Sequence, residues 1–201
     1  ILTKNIFKKN TNDYQANEMP FSFDALNEKE IIDAFNKQLL TIEKLEGFHL
    51  KFPLLSLNVD SLISDYILTD KYVSEHIKRK NNIALEINEN FHEFKSLNCM
   101  SDLKKLSRLG PLWLDDFGGG LTSLKVIELF KFECVKIDKD YFWEIQNKKN
   151  LMEIINKIKV YCNFLIVEGV ETIEQKNIVF SVNDSACQGR LWKKNYHNIE
   201  C

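Results

Sequence analysis

The sequence predicts an α/β fold, and within that class a TIM-like (β/α)8 barrel, because short apolar runs alternate with amphipathic stretches. Strands that are apolar on both faces and separated by helices are typical of a parallel sheet. One βα unit recurs roughly every 20–30 residues, which is the spacing of a barrel. The apolar runs cover residues 54–59, 83–87, 112–114, 134–137, 164–167 and 185–187.

The helical segments follow from the spacing of their apolar residues. Between residues 27 and 45 the apolar side chains recur at helical spacing, and Asn27 followed by Glu30 has the pattern of a capping box. The most polar stretch, from Lys8 to Glu18, is predicted to be a surface loop. Shorter helical patterns cover residues 102–109, 122–130, 151–161 and 172–180.

An open, Rossmann-like sheet is the structural alternative, because the same alternation of strands and helices also builds that fold. Such a sheet carries a GxGxxG turn after its first strand, and this sequence has no such motif there. Periodicity alone gives the barrel a modest lead over the open sheet.

Composition is typical of a soluble, single-domain protein. With 201 residues and 44% hydrophobic content the chain can bury one sizeable core, so residues 1–201 are interpreted as one domain. With 27 basic residues against 29 acidic ones, the overall charge gives no indication of binding to long nucleic acids or anionic membranes. No apolar run approaches the roughly 18 residues that cross a membrane, and the five scattered cysteines resemble reduced thiols of a cytoplasmic protein.

Polar residues of catalytic or metal-binding type end five successive apolar runs. A single carboxylate after a strand is more often a helix N-cap than a ligand. Five in succession are harder to explain that way, because the carboxyl ends of barrel strands meet on the rim where barrel enzymes place their active sites. Clustered carboxylates repel one another unless cations neutralise them, and oxygen ligands favour Mg²⁺ or Mn²⁺ over zinc. The residues are Asn58, Glu86, Asp115 with Asp116, Lys136 with Asp138, and Glu168 with Glu171.

The neighbours Asp115 and Asp116 indicate a two-metal site. Adjacent carboxylates at a strand end can reach two ions a few ångströms apart, which is the arrangement used for phosphodiester hydrolysis. Three of the seven glycines follow directly, at residues 118–120, and form a loop that can approach a ligand closely. Lys136, the cation of the set, is expected to hold a phosphate or the attacking water, and also to pair with a carboxylate.

Several short motifs match one protein family in the family's own order. The stretch DDFGGGLTSL, from Asp115 to Leu124, resembles the DDFGxGxSSL signature of EAL domains. The chain is thus identified as a member of the EAL family, and it looks closest to short, stand-alone enterobacterial members linked to motility and fimbrial control. The other matches are VKID at 135–138, VEGVET at 167–172, LEINE at 85–89, LNVD at 57–60 and QG at 188–189, which resemble the family's KID, AEGVET, LEITE, VNLS and QGY.

This resemblance implies a metal-dependent phosphodiesterase that hydrolyses cyclic diguanylate (cyclic di-GMP) to linear 5′-pGpG. It implies that Asn58, Glu86 and Asp115 hold the first Mg²⁺ or Mn²⁺ ion. It also implies that Asp116 and Glu168 help to hold the second ion and orient the nucleophilic water.

The resemblance assigns further residues around the two ions. Lys136 is implied to complete the water and phosphate site, and Gln188 to contact the substrate. The family role of the glycine loop implies a homodimer. The residues implied to position that loop, or to form it, are Glu89, Glu171, Gly118, Gly119 and Gly120.

The chain also departs from the family pattern. Active members carry a Glu-Ala-Leu motif, followed by an arginine that contacts the substrate phosphate. The opening residues, from Ile1 to Lys4, resemble the continuation of that motif, which predicts that the glutamate precedes Ile1, that Lys4 replaces the arginine, and that the domain is cut short at both ends. Arg190 replaces the aromatic residue that follows Gln188-Gly189 in the family.

Two functions follow from these observations. The departures favour a degenerate EAL domain that acts as a cyclic di-GMP receptor or binds a protein without hydrolysis. The retained carboxylates favour the enzyme, because clustered carboxylates without a metal cost stability and are expected to be lost first when catalysis is lost. An enolase-like barrel with Lys136 as its base has no support from motifs.

Overall fold

A computed structural model of the chain describes residues 2–8, 14–18, 26–47, 54–89, 91–95, 100–119, 124–192 and 197–198. The strands are β1 (Leu2–Lys8), β2 (Tyr14–Glu18), β3 (Leu55–Val59), β4 (Ile83–Ile87), β5 (Leu112–Phe117), β6 (Phe132–Ile137), β7 (Cys162–Val167), β8 (Ser185–Cys187) and β9 (His197–Asn198). The helices are α1 (Glu28–Gly47), α2 (Ser61–Thr69), α3 (Lys71–Arg79), α4 (Ser101–Leu106), α5 (Leu124–Leu129), α6 (Lys139–Ile145), α7 (Leu151–Lys159) and α8 (Ile173–Phe180).

The first eight strands close into a barrel, which confirms the predicted fold class. Strands β2 to β8 pair with one another in parallel and in chain order. Strand β1 closes the ring, because it pairs antiparallel with both β2 and β8. Strand β9 pairs antiparallel with Leu2 and Thr3 at the start of β1. All carboxyl ends of β2 to β8 therefore meet on one rim.

The prediction of a surface loop from Lys8 to Glu18 is wrong for its second half. Tyr14–Glu18 forms β2, which pairs with β1 as a hairpin and with β3 as the neighbouring barrel strand. The strand escapes sequence analysis because YQANE is polar, whereas a buried barrel strand is expected to be apolar. Backbone pairing on both sides compensates for that missing apolar signal.

The long helix α1 forms as its sequence predicts. The Asn27 N–H donates to Glu30 Oε2 at 2.9 Å, and the Glu30 N–H donates to Asn27 Oδ1 at 3.1 Å, which is the reciprocal pattern of a capping box. Along the helix, Phe35, Leu39 and Ile42 are buried against the barrel. Among the described helices, none is both long and apolar enough to cross a membrane.

Helices α2, α3 and α6 each begin at an aspartate that follows a strand or a helix. Asp60, Asp70 and Asp138 accept hydrogen bonds from the first backbone N–H groups of α2, α3 and α6. N-capping is the ordinary role of such residues. It gives Asp138 a structural explanation, as expected for a single carboxylate after a strand.

The cysteines that the structure describes are core residues. Cys134, Cys162 and Cys187 are buried and unpaired. Burial raises the pKa of Cys162 to about 11 and that of Cys187 to about 12. These thiols are therefore protonated and unreactive near neutral pH.

Candidate active site

The candidate site is a polar layer that lies directly on the apolar interior of the barrel. Five small or apolar side chains on β4 to β8 pack together inside the ring: Ala84, Trp113, Cys134, Ile166 and Ala186. Successive side chains of a strand alternate between its faces, so the residue two positions later lies on the same side. Those later residues are Glu86, Asp115, Lys136, Glu168 and Gln188.

The ammonium group of Lys136 lies at the centre of this layer. The side chain is 1% exposed, and its Nζ contacts Glu86 Oε1. The same Nζ lies 2.7 Å from Asp115 Oδ1 and 3.0 Å from Glu168 Oε1. The Asp115 contact is an ion pair without hydrogen-bond geometry. Three strands thus bring carboxylates to one buried cation, and such a cation is tolerated in a core only when it is paired in this way.

The Asp116 carboxyl is partly buried beside other carboxylates, and both features raise its pKa. Burial, and then the neighbouring Asp115 and Glu168 carboxylates, raise its pKa from 3.8 to about 7, although Lys136 acts in the opposite direction. Asn88 Nδ2 donates to Asp116 Oδ2 at 3.2 Å. Carboxylates arranged this closely are suited to a divalent cation, which would offset the repulsion between them.

The backbone at the end of β5 is irregular at the two aspartates. The strand continues to Phe117, whereas the sequence predicts its end at Leu114, and its register with β6 shifts between these two residues. Asp116 has a φ of 56°, in the left-handed region that few residues other than glycine adopt. Such strain is typical of functional turns.

The other predicted site residues lie on the same rim, with different surroundings. Asn58 lies opposite Glu86 in the register of β3 and β4. Gln188 is 5% exposed, and its Nε2 donates to Glu168 Oε1. Glu89 is buried, at 8% exposure.

Three predicted residues have a different setting or fall outside the description. Glu171 is exposed, and its Oε1 lies 3.4 Å from Arg190 Nη1. Arg190 is the residue that replaces the family's aromatic residue. Lys4 lies in β1, with its Cα opposite Glu18 of β2. Gly120 lies outside the described residues, whereas Gly118 belongs to the turn after β5.

Strand β2 adds one strand end, in a stretch for which the sequence predicts a loop. It ends at Glu18, which lies opposite Ser56 in the parallel register with β3. The next strand carries Asn58 two positions after Ser56. A glutamate at this end of a barrel strand is therefore a further candidate for the rim, and the polar sequence around it concealed the strand.

A second group of potential metal ligands is explained by local structure. His92, Glu93 and Asp102 bring ligand atoms within 4.8 Å of one another. Both Glu93 oxygens, however, accept backbone hydrogen bonds at the start of α4, from Asp102 N at 3.0 Å and from Leu103 N at 3.1 Å. Asp102 pairs with Lys105 at 2.8 Å. The two carboxylates are satisfied by a helix cap and an ion pair, so the group carries no argument for a metal.

Comparison with known proteins identifies the family. The family model described as "EAL domain" matches residues 18–195. The chain belongs to the EAL domain family. This confirms the resemblance that the motifs indicated, and the match begins at Glu18, the last residue of β2.

Relatives of this EAL domain carry two kinds of name. It is 28% identical over 163 residues to the anti-FlhC(2)FlhD(4) factor YdiV of Salmonella typhimurium (strain LT2), which covers 79% of this chain and 69% of YdiV. It is 24% identical over 163 residues to the cyclic di-GMP phosphodiesterase PdeH of Escherichia coli (strain K12), which covers 79% of this chain and 62% of PdeH.

Solved structures agree on the fold of this EAL domain. The EAL-like domain protein YdiV superposes with a TM-score of 0.79 at 22% identity, covering 95% of this chain and 89% of YdiV. A manganese and cyclic di-GMP complex of BlrP1 from Klebsiella pneumoniae, at pH 9.0, superposes with a TM-score of 0.74 at 17% identity. That match covers 94% of this chain and 54% of BlrP1. At these identities the likeness establishes the barrel and leaves the chemistry to the residues of the site.

The raised pKa of Asp116 gives a first prediction, for the metal-free protein. The folded state binds this proton more tightly than the unfolded state, so the contribution of Asp116 to stability is lost as pH rises from about 4 to about 7. Asp116→Asn removes the charge and keeps a residue that accepts a positive φ. In the presence of a chelator, we expect the variant to melt above the wild type at pH 8 and to differ little at pH 4.5. Equal effects at both pH values would contradict this electrostatic explanation.

Proposed function

We propose that this EAL domain is a metal-dependent phosphodiesterase that hydrolyses cyclic di-GMP to linear 5′-pGpG. The observation that carries the proposal is the cluster around Lys136, where carboxylates from three strands converge on one buried ammonium. Without a functional demand, a cluster of buried and partly buried carboxylates is a cost to stability. The relative named cyclic di-GMP phosphodiesterase PdeH supports the choice of reaction.

The donor set fits two hard divalent cations. Glu86, Asp115, Asp116 and Glu168 offer carboxylate oxygens and Asn58 offers an amide oxygen, which suits Mg²⁺ or Mn²⁺. The raised pKa of Asp116 supports this fit, since burial and then the neighbouring carboxylates disfavour its charged form, which a bound cation would stabilise. When bound, such ions would supply an activated water and neutralise charge on the phosphate. The manganese and cyclic di-GMP complex of BlrP1 supports the choice of metal and ligand.

The chain's own residues would divide the remaining work. Glu168 Oε1 receives both Lys136 Nζ and Gln188 Nε2, so its position on the rim is fixed from two sides. We propose that Glu168 accepts the proton of the attacking water. Lys136 would stabilise the negative charge that develops on the phosphate oxygens. Water adds to phosphorus, the bond from phosphorus to one 3′ oxygen breaks, and that oxygen leaves as a hydroxyl after taking up a proton equivalent to the one that Glu168 removes from the water. The product is the linear dinucleotide with a 5′ phosphate.

We further propose that Glu18 is the glutamate of the family's first motif, in place of a residue before Ile1. Its position at the end of β2, next to β3, and the start of the family match at this residue support the assignment. In that case Ser22, four positions after Glu18, occupies the position of the family's arginine. Lys4 then no longer corresponds to that arginine, so the resemblance gives no reason to expect it to contact the substrate. The substrate's phosphate would then rely more heavily on Lys136.

The assignment of Glu18 gives a second prediction. Glu18→Gln is expected to weaken Mn²⁺ binding at least about 10-fold, because the amide has no charge to offer the ion. Titration calorimetry measures the affinity. Glu28→Gln, in the exposed first turn of α1, is the matched control and should bind like the wild type. If the Glu18 variant bound Mn²⁺ with wild-type affinity, Glu18 would not be the metal-binding glutamate of the family's first motif.

The reaction itself is tested by incubating the protein with cyclic di-GMP and Mn²⁺ and separating the nucleotides by chromatography. The expected product is 5′-pGpG, formed with Mn²⁺ and absent with a chelator. Binding of cyclic di-GMP without formation of 5′-pGpG would refute the proposed hydrolysis and favour a cyclic di-GMP receptor. A cytoplasmic location and a homodimer complete the proposal, and gel filtration combined with light scattering would decide the latter.

A protein-binding regulator is the second candidate function. It is favoured by the relative named anti-FlhC(2)FlhD(4) factor YdiV, and by the exposed Arg190–Glu171 pair at a place where the family has an aromatic residue. The discriminating experiment is a pull-down with purified FlhD and FlhC subunits, done with and without cyclic di-GMP. If this EAL domain captured the FlhD and FlhC subunits and did not hydrolyse cyclic di-GMP, the result would favour a protein-binding regulator.

A further inference from the structure

Helix α6 begins at the rim of the barrel, directly after the strand that carries Lys136. Asp138 caps it by accepting hydrogen bonds from Asp140 N at 2.9 Å and from Tyr141 N at 3.0 Å. The Asp138 N–H donates to the Phe117 carbonyl at 3.2 Å, which joins the start of α6 to the end of β5. The helix is therefore fixed relative to the strand that carries the two aspartates.

On one side, α6 contacts the turn that follows Glu168. The Trp143 indole N–H donates to the Gly169 carbonyl at 2.9 Å. Gly169 has a φ of 70°, and a Cβ at this position would lie 2.6 Å from Lys139 Cβ and 3.2 Å from Trp143 Nε1. Backbone and helix are thus in direct contact, and only glycine fits between them.

On its other side, α6 contacts the turn that follows Asp116. Gly118 has a φ of 94°, and a Cβ there would lie 2.5 Å from the Tyr141 ring. The Tyr141 ring also meets the Phe117 ring edge-on, with 6.5 Å between centroids. One short helix therefore packs against both turns that carry acidic ligands of the candidate site.

Three consecutive residues of the turn after β7 are each held by a different element. The Glu168 N–H donates to the Ile137 carbonyl at 3.0 Å, and the Val170 N–H donates to the Gln188 carbonyl at 3.1 Å. Between them, the Gly169 carbonyl accepts from Trp143. The two outer bonds are made by backbone atoms. Of these three backbone hydrogen bonds, the one from Trp143 is made by a side chain, so a substitution can remove it.

We propose that Trp143 is a positioning residue, which holds the turn at Gly169 so that the Glu168 carboxylate lies against Lys136 and the metal ligands. The inference rests on the proposed function for what Glu168 is positioned to do. Partners that orient a metal ligand typically contribute about 10–100-fold to metal affinity.

The test compares Trp143→Phe, which keeps a ring and loses the N–H, with the wild type. We expect about 10-fold weaker Mn²⁺ binding by calorimetry and faster amide hydrogen exchange at residues 168–171. Tyr161→Phe is the matched control, because it removes one hydrogen bond, from Tyr161 to Glu128 Oε1 at 3.1 Å, on an exposed surface. The control should change neither readout. Trp143→His, which keeps a ring N–H, should bind Mn²⁺ more tightly than the phenylalanine variant.

Each outcome decides one of the two proposals. Wild-type exchange at residues 168–171 in Trp143→Phe would overturn the positioning role, even if the protein bound no metal at all. Unchanged Mn²⁺ affinity together with faster exchange would overturn it as well, since the turn would then move without consequence for the site. Failure of the wild type to bind Mn²⁺ would instead refute the proposed function, and the exchange measurement would still decide the role of Trp143.

Discussion

Lys136→Met is expected to lower the free energy of unfolding of the metal-free protein by about 3–5 kcal/mol, which is the usual cost of removing one partner from a buried ion pair. Methionine has a similar length and no charge. The substitution leaves the carboxylates of Glu86, Asp115 and Glu168 close together without the cation that now lies between them. Denaturation with urea in the presence of a chelator measures the loss.

The control for this prediction is a lysine that pairs on the surface. Lys148 Nζ lies 2.6 Å from Glu144 Oε1, and both side chains are exposed. Lys148→Met should change stability by less than about 1 kcal/mol, as exposed pairs do. Mn²⁺ should raise the stability of the Lys136 variant by more than it raises that of the wild type, because the ion replaces the missing charge. Similar losses in both lysine variants, or no response to Mn²⁺, would contradict this description of the cluster.

Asp115→Asn is expected to lower the turnover of cyclic di-GMP by at least about 100-fold. Removing a residue that only orients a metal ligand lowers metal affinity or activity by up to about 100-fold. Because Asp115 is itself a proposed ligand, we expect a loss at least as large. The amide keeps the shape of the side chain and one oxygen, but it offers no charge to a cation. Initial rates of 5′-pGpG formation in saturating Mn²⁺ measure the effect.

A second aspartate, on the protein surface, provides the comparison. Asp140 lies in the first turn of α6 with its side chain 72% exposed, and it pairs weakly with Lys139 at 3.9 Å. Asp140→Asn should keep wild-type turnover within about twofold, since an exposed residue in the first turn of a helix contributes only a few tenths of a kcal/mol. Activity that survived in the Asp115 variant would show that the metal ligands have been assigned to the wrong residues.

Much of the barrel could be predicted from the sequence, because strands β3 to β8 are apolar enough to be recognised. The run at residues 83–87 coincides with β4, and the capping box at Asn27 forms as expected. Strand β2 could not be found in this way, because its pairing with β1 and β3 is made by backbone atoms that leave no pattern in the side chains. The end of β5 was placed too early for a related reason: Asp115 and Asp116 interrupt the apolar run while the strand continues.

The site was partly predictable as well. The strand-end rule placed Glu86, Lys136 and Glu168 on one rim, and the structure brings these three into contact. The rule could not reveal that Lys136 is the centre of the cluster, since that depends on which side chains reach the barrel axis. Nor could it distinguish Asp138, which caps a helix, from the neighbouring candidates, or find the hydrogen bond from Trp143 to Gly169 across 26 positions of sequence.

The most direct test of the central claim, that the rim holds a divalent metal site, is the stoichiometry of Mn²⁺ binding to the wild-type protein by equilibrium dialysis. A two-metal site predicts about two ions per chain at saturation. Asp115→Asn should lose at least one of them, while Asp140→Asn should keep both. Absence of bound Mn²⁺ at millimolar concentration, or equal binding by the Asp115 variant and the wild type, would contradict the claim.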